Sequence, residues 1–97
     1  MRFGCDLFNR GVLATPENLR ATAVLADNLG YDCICMEDHI VAPSEVTSAY
    51  PYTSTGRWPP DALNFYELLT TLSYLAAITH RVKLLTHVLV LPYRNQV

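Results

Sequence analysis

An α/β fold built on a parallel sheet is what this sequence predicts, and three observations predict it. Strand-length apolar runs alternate with helix-length segments, giving the order β-α-β-α-β. The middle run, Cys33-Ile34-Cys35-Met36, is apolar on both faces, as strands covered on both sides require. Each run ends in polar residues, most abruptly where Met36 gives way to Glu37-Asp38-His39. Right-handed crossovers then leave two architectures, a barrel or a doubly wound sheet.

The elements follow in order. Arg2 to Phe8 has strand length and mixed polarity, and Asn9-Arg10-Gly11 turns the chain. Thr15 is a good helix N-cap, Pro16 suits the first helical position, Glu17 complements the positive helix end, and Gly30 supplies a left-handed C-terminal residue. Between them Leu19, Thr22, Ala23, Ala26 and Leu29 form one apolar stripe. Asp32 to Met36 is the second strand. From Ala42 to Pro60 the prolines and glycine exclude continuous helix or central strand, and a loop of that length is usually a lid or a binding loop. Tyr50, Tyr52 and Trp58 give it rings to pack or to stack on a ligand. Asp61 is expected to cap a second helix running to about Thr79, apolar nearly all round and hence well covered, with His80 and Arg81 favouring its C-terminal dipole. Val82 to Leu91 is the third strand, ended by Pro92.

Composition bounds the function. Ninety-seven residues, 51% hydrophobic and 16% charged, describe a single globular unit, residues 1–97, with no domain boundary. Seven basic against nine acidic residues, net charge −2, offer no basic footprint for nucleic acid or an anionic membrane. No apolar run is long enough to span a bilayer, and Asp6 falls where a signal peptide would have its apolar core, so a cytoplasmic location is expected. Cys5, Cys33 and Cys35 read as small buried residues in a reducing compartment. Cys33 and Cys35 share a strand face, but no further Cys or His cluster has metal-site spacing.

Only Gly11 lies between the first strand and its helix, so a dinucleotide-binding turn is not supported. Polar residues close all three strands, at Asn9, at Glu37-Asp38-His39 and at Tyr93-Arg94-Asn95, and a (β/α)8 barrel carries its chemistry there. A TIM barrel is therefore favoured over a doubly wound sheet.

Several motifs in register carry a resemblance. They are the early Arg2-Phe3-Gly4, Thr15-Pro16-Glu17-Asn18-Leu19, Leu29-Gly30-Tyr31-Asp32, Glu37-Asp38-His39-Ile40-Val41, Tyr50-Pro51-Tyr52 with Gly56-Arg57-Trp58-Pro59-Pro60, and Val88-Leu89-Val90-Leu91-Pro92-Tyr93-Arg94-Asn95. Together they resemble the N-terminal part of the luciferase-like monooxygenase family, whose members are complete eight-stranded barrels using FMN or a deazaflavin (coenzyme F-420). The resemblance implies a flavin- or deazaflavin-dependent oxidoreductase with a small-molecule substrate. It implies Asp38 and His39 at the positions facing the reactive ring. It further implies a non-prolyl cis peptide at His87-Val88 supporting that ring, and makes Asp38, His87 and Val88 cofactor contacts. An imidazole that titrates near neutral pH can handle the proton accompanying hydride transfer. The chain departs from the family where His87 replaces a small residue and Leu85 a frequent glycine. The family anchors the cofactor phosphate through later strands, so these residues alone are expected to bind cofactor poorly and to be inactive in isolation.

Two other functions fit the residues. Open sheet edges invite self-association, so a catalytically silent remnant that pairs with another chain is one. A metal-assisted hydrolase with Asp38, His39 and His87 as ligands is the other. Arg57 and Arg94 read as solvated loop charges.

Overall fold

The computed structural model describes residues 1–41, 45–58 and 64–95. Three short strands, β1 (Gly4–Asp6), β2 (Cys33–Met36) and β3 (Lys83–Thr86), alternate with two helices, α1 (Pro16–Leu29) and α2 (Leu68–Ala76). The sheet is parallel throughout, in the order β1-β2-β3, with Cys5 opposite Ile34 and Ile34 opposite Leu84. The predicted α/β class and β-α-β-α-β order hold.

Local signals fix α1. The Thr15 hydroxyl accepts the Asn18 N–H at 3.2 Å, Pro16 opens the helix, and Gly30 closes it at φ 81°, where a side chain would be strained. Its buried face is Leu19, Ala23, Ala26 and Asp27, rotated from the expected stripe: Leu29 lies 67% exposed, and Thr22 is exposed too. Those residues pack on Leu7, Ile34, Met36, Leu68, Leu75 and Val82. Each large side chain among them contributes roughly 1.5–3 kcal/mol on burial.

The start of α2 differs from the expected boundary. Leu68 is the first helical residue and Glu67 the cap, its carboxylate accepting the Thr70 N–H at 2.6 Å. Asp61, the expected cap, lies outside the described residues. Before the cap, Phe65 forms an antiparallel bridge with Arg10, and Tyr66 donates its N–H to the Asn9 carbonyl, so this segment is spent on the end of β1. The helix stops at Ala76 rather than Thr79 and is covered on one side only, leaving Leu69 and Tyr74 partly exposed.

The third strand is also shorter than expected. After Thr86, His87 still donates to the Met36 carbonyl at 2.7 Å, but Val90 donates to the Asp38 carboxylate and Leu91–Tyr93 form a 3-10 turn. Backbone donors that would extend a ladder go to a side chain instead.

Both helices lie on one face of the sheet, with Cys5, Ile34, Met36 and Leu84 beneath them. The opposite face carries Asp6, Cys33, Cys35, Lys83 and Leu85, and no element among the described residues covers it. Here a Cβ on Gly4 would stand 2.5 Å from Cys33 Sγ and 3.3 Å from the Cys33 carbonyl oxygen, so the Cys33 side chain would have to turn aside.

Candidate functional site

The C-terminal ends of the strands converge on one cluster. Asn9, after β1, is buried to 1% exposure and donates its amide Nδ2 to the carbonyls of Glu37 (3.1 Å) and Tyr66 (2.9 Å). It ties the end of β1 to the end of β2 and to the approach to α2. Beside it Arg10 Nε meets Glu37 Oε1 at 2.5 Å, and its guanidinium sits 5.7 Å from the ring centres of Phe8 and Phe65.

Asp38 follows Glu37 and is the most enclosed acid of this end, its side chain 3% exposed. Its Oδ1 accepts the His39 N–H at 3.1 Å, and its Oδ2 accepts the Val90 N–H at 3.1 Å and Arg94 Nη2 at 2.9 Å. Asp38 thus ties the His39 turn to the Val90 backbone and to Arg94. Arg94 also donates through Nη1 to Glu67, so the reading of Arg94 as a solvated loop charge is corrected. Burial alone would raise the Glu67 carboxyl. The Thr70 hydroxyl and N–H, the Arg94 guanidinium and the Leu69 N–H outweigh it and bring the carboxyl down to about 2. The guanidinium is held up in turn by Glu67 and then Asp38.

His39 is exposed, and its ring is seated by aromatic edges rather than by hydrogen bonds. Phe65 lies 4.6 Å away between ring centres at 71°, and Trp58 5.6 Å away at 75°. Trp58 in turn meets Tyr50 at 4.8 Å, and Tyr50 meets Tyr52 at 5.5 Å. Gly56, at φ 65°, donates to the Thr53 carbonyl, and Tyr50 donates to the Gly56 carbonyl, folding the 45–58 loop back onto His39. The expectation that these rings pack is met. A recess of about 250 Å³ opens beside them, lined by Asp38, His39, Ile40, Phe65, Tyr66 and Tyr93 among others.

His87 and Val88 stand apart, at the end of β3 on the uncovered face. The peptide between them is cis, the conformation the resemblance implies at that position. The His87 ring is 70% exposed, with Nδ1 3.8 Å from Asp6 Oδ1, and Val88 is 67% exposed. A smaller hollow of about 90 Å³ lies here between Asp6, Phe8, Arg10, Cys35, Glu37 and His87. The structure thus brings Asp38 and His39 together through the backbone and leaves His87 against Asp6.

Among the described residues no three His, Cys, Asp or Glu side chains form a group that could hold a metal ion. The ligand trio Asp38, His39 and His87 of the hydrolase reading is not assembled. The three cysteines are free, and burial pushes up the thiols of Cys5 and Cys35, the latter helped by its hydrogen bond with Cys33.

Three buried polar atoms have no hydrogen-bond partner among the described residues: Asn9 Oδ1, Trp58 Nε1 and Arg94 Nε. All belong to this end of the sheet. Buried polar atoms are nearly always paired, so their concentration singles out this end of the sheet. Of these residues Asn9 was legible only as a strand end, and the Arg94 and Glu67 pairings had no local signal.

No family model matches the chain, and neither a curated protein nor a solved structure matches it. Among the described residues no helix is long and apolar enough to cross a membrane.

Proposed function

We propose that this chain carries the first three strands of a flavin- or deazaflavin-dependent oxidoreductase of luciferase-like type, a TIM-barrel enzyme acting on a small molecule, with His39 as its proton-handling residue. The observation that carries the reading is the recess of about 250 Å³ beside His39, at the C-terminal ends of parallel strands where such barrels do chemistry. The residues fit the ring of such a cofactor. His87 and Val88 offer an exposed platform at the end of β3. Among the described residues Arg10 and Arg94 are both spent on carboxylates, so neither is free for the cofactor's phosphate.

When bound, the ring supplies hydride chemistry. The chain's part is to hold His39 at the recess, where Nδ1 or Nε2 gives or takes the accompanying proton, while Phe65 and Trp58 seat its ring edge-on and Asp38 fixes its backbone. Fluorescence titration with riboflavin and with FMN tests this. Saturable binding of similar, weak affinity for the two is expected, since the ring is read and the phosphate is not. Absence of saturable binding of either up to millimolar concentration would overturn the reading.

A second reading, a silent chain that acts by pairing with another, is favoured by the uncovered sheet face, which parallel sheets normally bury. A monodisperse monomer in analytical ultracentrifugation, melting cooperatively, would dispose of it.

A further inference from the structure

The seat of the His39 imidazole has two halves that come from distant parts of the chain. One is the Asp38-His39 turn after β2, which carries the imidazole. The other is the segment before α2, where Phe65, two residues ahead of the Glu67 cap, supplies the ring on which the imidazole rests. Arg94 grips both. Nη2 donates to Asp38 Oδ2 at 2.9 Å, and Asp38 Oδ1 accepts the backbone N–H of His39; Nη1 donates to Glu67 Oε1, and Glu67 Oε2 accepts the Thr70 N–H that starts the helix. A third strut closes the triangle, since the Val90 N–H, four residues before Arg94, also donates to Asp38.

We infer that Arg94 is a positioning residue, which fixes the seat of His39 by clamping the Asp38 turn to the Glu67 cap. The inference rests on the proposed site only in giving His39 its task; the geometry of the seat stands without it. The planar fork matters more than the charge. Two donors on one rigid plane hold two carboxylates at a set spacing, which a single flexible ammonium does not do. The clamp's remaining contacts agree with this. The Arg94 guanidinium lies 5.0 Å from the Tyr93 ring centre, and Tyr93 lines the same recess as His39.

The test uses Arg94→Lys, which keeps a cation beside Asp38, with Glu67→Gln as the second variant, which keeps a cap acceptor but removes its charge. Nuclear magnetic resonance reads the ring-current shifts of the His39 imidazole protons, the His39–Phe65 cross-peaks and amide exchange along the chain. In Arg94→Lys the His39 protons are expected to move toward their unshielded positions, the cross-peaks to vanish, and the His39 and Val90 amides to exchange at least tenfold faster. Amides of α1 and β2 stay within about twofold of the parent. Glu67→Gln is expected to fall between the two. Unchanged His39 shifts and exchange in a folded Arg94→Lys chain would overturn the inference, and so would a uniform loss of protection through α1 and the sheet, which marks a structural role alone. None of these readouts involves a flavin, so failure of riboflavin to bind would sink the proposed function and leave this result intact.

Discussion

Two enclosed aspartates hold the two ends of the same sheet, and they do it differently. Asp27, in the last turn of α1, sits below the strands and accepts three successive backbone N–H groups, from His80, Arg81 and Val82, at 2.8, 2.9 and 2.7 Å. Asp38, above the strands, accepts two N–H groups and a guanidinium. The lower joint is complete, made of neutral backbone, and no polar atom near it is left unpartnered among the described residues. The upper joint depends on a mobile class of side chain and is surrounded by three atoms without partners. The lower joint is thus a self-contained backbone tie, and the upper one a tie between side chains.

The sharpest way to break the contrast is Asp27→Ala. It leaves three adjacent N–H groups without their acceptor and uncouples α1 from the start of β3. A fall in Tm on the order of 10 °C is expected in thermal melts followed by circular dichroism, with the His39 resonances of any remaining folded chain unchanged. The pH dependence follows the same joint. The N–H of His80 first, then that of Val82, hold the Asp27 carboxyl below the usual carboxylate range against the opposing effect of burial. A lowered folded value means that the stabilisation is full above the unfolded value, near 4, and is lost as pH falls through the folded one. Asp27→Ala should therefore flatten the acid limb of a Tm-versus-pH curve. An acid limb as steep as the parent's would show that other carboxylates govern it.

Glu67→Ala strikes the upper joint and should cost less, roughly 1 kcal/mol for the lost cap, or about 5 °C in Tm. Because the Glu67 carboxyl is brought down to about 2 from 4.5, its contribution is full above pH 4.5 and fades only as pH falls toward 2. The variant should differ from the parent at pH 6 and converge with it near pH 2. A loss larger than that of Asp27→Ala would reverse the assignment of stability to the lower end.

The two joints also differ in how far the sequence disclosed them. The first helix was readable because Thr15, Pro16 and Gly30 act within a few residues of where they stand, and the three strands because apolar runs and turn residues are local. Neither aspartate joint is local. Asp27 reads as an ordinary charge late in an amphipathic helix, and only the arrival of β3 beside β2 brings the 80–82 backbone to it. That same contact explains why His80 does not serve the dipole of α2, which ends four residues earlier. Arg94 meets Asp38 across 56 positions. The start of α2 was misplaced because Asp61 after two prolines is a stronger local signal than a glutamate cap, whereas the Phe65 bridge to Arg10 and the Arg94 contact settle Glu67 from a distance. Asp38 and His39 were legible as a pair at a strand end. Their division of labour was not, since it depends on which of them Arg94 reaches.

The smallest expected effect on stability is also the most diagnostic of the upper end. Trp58 touches His39 and Tyr50 through its ring, and its buried Nε1–H has no partner among the described residues. Trp58→Phe keeps an aromatic edge there, loses some buried area, and relieves an unpaired donor, so the two terms offset and stability should stay within about 1 kcal/mol of the parent. Ligand binding separates what stability does not. A donor that serves a bound ring is worth roughly three- to tenfold in affinity, and riboflavin titration of Trp58→Phe should show that loss while the melt is nearly unchanged. An equal affinity would mean that Trp58 supports His39 by packing alone.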